Sequence, residues 1–252
     1  MNSRPAWLGL GAGVYLAATI AACPAGTAFR WLAPAGVDAT GFSGTVWRGS
    51  AAVASIAGLG FYDLEWAIRP LSLLTGTLAA DVRAREPDGF FDAAVSAGFS
   101  TVRISDFRGA TSLRSLSRVI PLGDVTGLLS LQLDSLEISA GWPRSAVGQI
   151  RLAQLETPLL MPDGPSGLVP LGNFVVSLED TESGEIAGQF TDQGGPLEVS
   201  GRFRLSGDRS YELSGLIRPR DSAAPEIVQA LQFVTGAPDE SGRRPFELSG
   251  SL

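Results

Sequence analysis

From about residue 41 to its end the chain alternates apolar and polar residues in short runs separated by Gly, Ser, Asp and Pro, and an uncharged apolar stretch, residues 5–29, precedes them. Strict alternation sends every second side chain to one face, which is how a half-buried antiparallel strand reads. Residues 41–57 read as a first hairpin, 61–66 and 77–85 as the next two strands, and 90–104 as two more. Between them Arg69-Pro70-Leu71-Ser72 predicts a helical turn, because proline presets φ at a first helical position.

Two segments break the period of two. Residues 112–120 put Leu113, Leu116, Val119 and Ile120 on one helical face and Arg114 and Arg118 on another, before Pro121 stops them. Residues 222–236 make the stronger helix: Ser222 is the expected cap, Pro225 and Glu226 suit the first turn, Ile227, Val228, Leu231 and Val234 form the stripe, and Gly236 ends it. Leu129, Leu131 and Leu133 share one parity and Leu136, Ile138 and Ala140 the other, so a bulge is predicted near Asp134-Ser135 that curves the sheet.

The last quarter of the chain repeats one strand pattern at Leu197-Glu198-Val199-Ser200-Gly201, Tyr211-Glu212-Leu213-Ser214-Gly215 and Phe246-Glu247-Leu248-Ser249-Gly250. Pairing the first two across residues 206–210, with Leu205 opposite Tyr211, sets Phe203 against Leu213 and Gly201 against Gly215 on the buried face. The same register sets Arg204 against Glu212 and Glu198 against Arg218 on the other face. A slip of one residue would bury those charges, so the register is well specified.

The stretch 5–29 contains no Asp, Glu, Lys or Arg. As a helix it rises roughly 36 Å at about 1.5 Å per residue, enough to cross a hydrocarbon core of about 30 Å. The expected architecture is therefore mainly β: a cytoplasmic tip and transmembrane anchor over residues 1–32, then a curved antiparallel sheet with two short packing helices over 33–252. Trp7 and Trp31 bracket the anchor, and Arg4 with the terminal amine favours a cytoplasmic N-terminus. Two competing readings of this stretch are a cleavable signal peptide and a lipidation signal at Ile20-Ala21-Ala22-Cys23.

Charge and composition narrow the chemistry. All basic residues are arginines, and 19 of them face 26 acids for a net charge of −7, which repels phosphate backbones and argues against a nucleic-acid partner. Histidine is absent and the single cysteine, Cys23, lies in the apolar stretch, which removes disulfides, histidine bases and the commonest zinc ligands together. The carboxylates Glu86/Asp88/Asp92, Glu179/Asp180/Glu182/Glu185 and Asp239/Glu240 lie beside Gly, Pro or Ser and read as turn residues. Gly194-Gly195-Pro196 opens a strand and has no lysine after it, so it is no phosphate cradle. Arg202, Arg204, Arg218, Arg220, Arg243 and Arg244 could form an anion-binding strip, but the register above already gives several of them glutamate partners. Trp47, Trp66 and Trp142 fit core packing or interface anchoring, and core packing is the expected role. No catalytic, cofactor-binding or metal-ligating residue is expected.

The order of motifs resembles the type II secretion system protein N family. It runs from an N-terminal anchor ending in Pro24-Ala25 through Gly44-Thr45-Val46-Trp47-Arg48-Gly49 to Trp66 with Pro70, Leu74 and Gly76. It then continues through Gly195-Pro196-Leu197, Arg218-Pro219-Arg220, the capped helix, Pro238-Asp239 and Gly242-Arg243. The resemblance implies an inner-membrane accessory or assembly component of a Gram-negative secretion pathway. It implies a single-pass protein with its bulk in the periplasm, partnered by other secretion components, and held to membrane lipid by its N-terminal helix. The anchored, curved sheet also resembles AsmA-like proteins, which implies a lipid-binding alternative in which an apolar trough holds acyl chains.

Overall fold

A computed structural model of the protein describes residues 19, 21–32, 36–56, 59–117, 124–161, 164–181 and 184–251. Its strands form one antiparallel sheet of 13, in chain order, each strand pairing with the next. They are β1 (Val37–Gly44), β2 (Arg48–Ile56), β3 (Leu59–Arg69), β4 (Leu78–Glu86), β5 (Gly89–Ala97), β6 (Thr101–Ser112) and β7 (Thr126–Ser139). The sheet continues with β8 (Trp142–Met161), β9 (Gly164–Glu179), β10 (Ile186–Asp192), β11 (Leu197–Leu205), β12 (Ser210–Pro219) and β13 (Arg244–Ser251). Among the described residues three α-helices accompany the sheet: α1 (Ala25–Leu32), α2 (Leu113–Leu116) and α3 (Pro225–Val234).

The sheet has one apolar face. Following paired residues from strand to strand gives a row that runs Ala84, Phe91, Gly109, Leu131, Ile150, Val176, Phe190, Gly201, Gly215, Phe246 across β4 to β13. A second row beside it runs Phe107, Leu133, Gly148, Leu178, Gly188, Phe203, Leu213, Leu248. The opposite face carries cross-strand ion pairs, including Arg83–Asp92 at 3.4 Å, Arg103–Glu137 at 2.7 Å and Arg204–Glu212 at 3.9 Å.

On the apolar face, ring and glycine face each other across the ladder: Trp66 with Gly49, Phe91 with Gly109, Phe203 with Gly188, Phe190 with Gly201, Phe246 with Gly215 and Tyr211 with Gly250. Each ring lies in the space that a glycine leaves open. A Cβ added to Gly201 would sit 2.2 Å from Phe190 Cζ and 2.5 Å from the Ser214 carbonyl oxygen. The rings can therefore lie flat over the backbone of the next strand, and the inner side of the sheet can contract enough to curl. Irregularities in register between Tyr62/Glu65, Asp92/Ala94, Leu133/Ser135 and Leu152/Leu155 add bends. The expected bulge at Asp134-Ser135 is the third of these.

Curling brings distant strands into one core. Leu133, Ala146, Leu178 and Ile186 form a buried cluster that Phe107, Ile150, Phe203 and Leu205 pack against, so β6 to β11 share it. Trp142, at the start of β8, donates its indole N–H to the Ser206 carbonyl at 3.3 Å, just past the end of β11. The stacking of the Arg209 guanidinium 5.3 Å from its ring centre fixes the same contact. A second cluster is closed by α3, whose Ile227 and Leu231 cover Val169, Leu197 and Val199.

The expected elements appear with three adjustments. The cap of α3 is Ala224, without a side-chain hydrogen bond, and not Ser222, because Pro225 takes the first helical position. The expected helix at 112–120 shows one turn, with the Ser112 hydroxyl accepting from the Ser115 N–H at 3.2 Å, and residues 118–120 lie outside the described residues. The expected anchor falls on residues that are mostly not described, and among the described residues no helix is long and apolar enough to cross a membrane. The register expected for β11 and β12 is the one found, from Leu205–Tyr211 to Glu198–Arg218.

Substituting Gly201→Ala should lower unfolding stability by about 1–3 kcal/mol through overpacking against Phe190. At Gly60, where an added Cβ meets open space, the same change should shift it by less than about 0.5 kcal/mol. Chemical denaturation of the two variants side by side measures the difference.

Candidate partner interface

The N-terminal segment joins the sheet at one defined place. Pro24 bridges to Thr45 in the turn between β1 and β2, and the Val46 N–H donates to the Cys23 carbonyl at 2.9 Å. The Trp66 indole N–H then donates to the Val46 carbonyl at 3.0 Å, and the Ile68 N–H to the Trp47 carbonyl at 2.6 Å. Beyond the bridge, α1 lies along the inner side of β1, with Ala25 buried and the rings of Phe29 and Phe42 centred 4.9 Å apart. Phe42 in turn meets Trp66 edge-on at 6.5 Å. Residues 44–49 thus form a clasp around Cys23-Pro24, and the last part of the uncharged stretch belongs to the sheet's packing.

Most of the candidate anion strip is neutralised by its own neighbours. Glu198 accepts from Arg218 and, at 3.0 Å, from Arg243, which hold its carboxyl below the ordinary glutamate value. Arg204 lies 3.6 Å from Glu185, and Arg244 donates to the Gly236 carbonyl at 3.3 Å. Arg202 alone among them stands exposed without an ion pair among the described residues.

Arg220 serves as a staple. Its guanidinium donates to the carbonyls of Gly195 at 3.0 Å and Leu197 at 2.7 Å, and to Asp192 at 2.6 Å. The Asp192 side chain is only 10% exposed and also accepts from the N–H groups of Val199 at 2.9 Å and Gly194 at 3.1 Å. Burial pushes its carboxyl upward, but the Val199 N–H, Arg220 and the Gly194 N–H together outweigh that and hold it below the ordinary aspartate value. Nothing in the alternation of the chain singled out Asp192; its signal was only its place before the Gly194-Gly195-Pro196 turn.

The carboxylate clusters are dispersed among structural duties. Glu86 accepts from Thr111, Asp92 pairs with Arg83, and Asp239 accepts from the N–H groups of Ser241 and Arg243 at 2.9 Å each. Glu182 lies outside the described residues. No group of three or more acids and cysteine is placed to hold a metal ion among the described residues.

The edges of the sheet differ. β1 is shielded by α1 and by the Pro24–Thr45 bridge, and its backbone turns to positive φ at Gly41 and Gly44. β13 is plain and exposed. The Pro245 carbonyl, on its outer side, accepts from the Gly236 N–H at 2.8 Å. Alternation then directs the N–H and C=O of Glu247 and Ser249 outward, and among the described residues nothing pairs with them. Leu248, on the apolar side of that edge, is 54% exposed.

Residues 35–247 match the family described as type II secretion system (T2SS), protein N. The chain belongs to the type II secretion system protein N family. A relative named type II secretion system protein N from Klebsiella pneumoniae is 29% identical, covering 82% of this chain and 81% of its own length. The proteins of the same name from Vibrio cholerae and Aeromonas hydrophila are 27% and 25% identical, each aligned over more than four fifths of both chains. No solved structure matches the chain significantly. The motifs on which the resemblance rests turn out to be joints of the fold: the clasp at 44–49, the 3₁₀ turn Pro70–Thr75 closed by Gly76, the Arg220 staple at Gly195-Pro196-Leu197, and the Asp239 turn that aims Arg243 at Glu198.

Because Asp192 titrates lower in the folded than in the unfolded chain, its contribution is complete above the unfolded value of about 4 and is lost as pH falls through the folded value. Asp192→Asn should remove about 1.5–3 kcal/mol at neutral pH. It should also flatten the loss of stability below pH ~4, as read by denaturation at a series of pH values.

Proposed function

We propose that the chain is an accessory or assembly component of the type II secretion machinery that works by contact. In this reading residues before Cys23 anchor it in the inner membrane, and the sheet stands in the periplasm, where the free edge of β13 receives a strand from another secretion subunit. Family membership supports the secretion role. The observation that carries the contact mode is the unpaired outward backbone of Glu247 and Ser249, since strand addition needs only such groups and an accessible edge. As a helix Pro5 to Ala22 rises roughly 27 Å at about 1.5 Å per residue, at the short end of what crosses a hydrocarbon core of about 30 Å. A non-catalytic role fits the way the acids are used: Glu86, Asp92, Asp192, Glu198 and Asp239 each hold a turn or an arginine.

One observation favours a second reading as a lipid-binding module. The sheet is open, its inner face is apolar, and among the described residues no large side chain is fully buried. Near α1 that face leaves a groove of about 220 Å³ lined by Phe29, Val37, Phe42, Leu64, Trp66 and Ile68. An acyl chain suits such a surface. Phospholipid that stays with the purified protein through detergent exchange, detected by mass spectrometry, is the expected result of this reading, and its absence would remove it.

For the contact reading, a photo-crosslinking residue at Glu247 in cells running the secretion system should give adducts with secretion subunits. Ser249→Pro deletes an N–H that β12 does not use, so it should abolish those adducts while stability stays within about 0.5 kcal/mol. Adducts that never contain a secretion component would overturn the proposal.

A further inference from the structure

Four exposed apolar side chains gather at one end of the sheet, on the turns of its first strands. Leu71 and Leu74, on the 3₁₀ turn after β3, are 76% and 85% exposed, and Leu73 beside them is 46% exposed. Phe99, in the turn between β5 and β6, is fully exposed. The two turns are neighbours: an added Cβ on Gly76 would lie 3.8 Å from the Phe99 ring. Adjacent to them is the β1–β2 turn, because Arg48 pairs with Ala67 and the Trp47 carbonyl accepts from Ile68, one residue before Arg69. That turn is the clasp that grips Cys23-Pro24. Large apolar residues on turn tips are rare on water-facing surfaces when they cluster.

Several of the other described turns are more polar. At the opposite end, β4 and β5 are joined through Glu86, Pro87, Asp88 and Gly89, and β10 and β11 through Asp192, Gln193, Gly194 and Gly195. At the same end but farther along the sheet, the turn after β7 is Ala140-Gly141, the one after β9 carries Asp180 and Glu185, and the one after β11 carries Asp208 and Arg209. Polarity therefore rises with distance from the clasp. Just behind the apolar tips stand Arg48, Arg69 and Arg103, all exposed; Arg69 and Arg103 are tied to Asp81 and Glu137.

We propose that Leu71, Leu74 and Phe99 dip into the bilayer interface, so that the β1–β6 end of the sheet rests on the membrane while the β9–β12 turns stand away from it. The chain leading into the clasp supplies the direction: residues 5–22 are uncharged and apolar, and they reach the sheet at the very end where these side chains protrude. Leucine and phenylalanine tips backed by arginine match a layer that is hydrocarbon below and anionic headgroups above. The acidic turn at Asp180 and Glu185 is repelled by the same headgroups, which tilts the far strands outward.

This contact rests on the anchoring reading, so the test separates the two. The full chain, with Cys23→Ser, is reconstituted into vesicles of phosphatidylethanolamine and phosphatidylglycerol that contain a lipid bearing a nitroxide quencher near its headgroup. A fluorophore is attached in turn at Phe99→Cys, Leu74→Cys and Asp88→Cys. Strong quenching at positions 99 and 74 with little at 88 is expected. A chain that fails to float with the vesicles sinks anchoring and tip contact together. A chain that floats with position 99 no more quenched than 88 sinks the tip contact alone, as does equal quenching at all three positions.

Discussion

Everything in this fold depends on aromatic rings being able to lie down on glycines in the adjacent strand. Helices cover the apolar face only at α1 and α3, and a flat sheet would leave the rest of that face in water. Where Phe190 lies over Gly201 and Phe203 over Gly188, the inner surface loses side-chain bulk at the points where neighbouring strands must tilt together. The sheet then bends until β6 to β11 share one core. The arrangement substitutes curvature for a second layer.

Much of this was legible in the chain. Alternation found the strands, the parity change at Asp134-Ser135 found a bulge, and the repeated pattern of Glu, an aliphatic residue, Ser and Gly set the β11–β12 register through one condition, that arginine and glutamate stay out of the core. The curl and its agents were harder to read. Phe190 and Gly201 are separated in sequence, and their partnership exists only once β10 and β11 are aligned, so no local signal shows it. Asp192 was invisible for a related reason: its partners are Val199 in β11 and Arg220 just past the end of β12, and only the folded backbone gathers them. Ser222 illustrates a local conflict, in which a good capping residue loses to the proline three positions later because that proline fixes where the first turn begins.

The arginines teach a related lesson about function. A sequence with paired arginines and no lysine invites an anion-binding interpretation, yet Arg218, Arg243 and Arg220 have rigid partners and bridge segments far apart in the chain. Guanidinium suits that duty because its fork can satisfy two carbonyls and a carboxylate in one plane. The motifs on which the family resemblance rests include places where such joints close, so they look like recognition elements and act as fasteners.

The neighbour-to-neighbour order of the strands bears on how such a sheet is made. Every strand finds its partner in the segment that comes next, so no closure has to wait for a distant part of the chain, and the entropy of each loop closed is small. A polypeptide emerging from a narrow exit with its leading portion already held could zip up one hairpin at a time. The growing border would be masked as each next strand followed, and among the described residues β13 is the margin that no later strand covers.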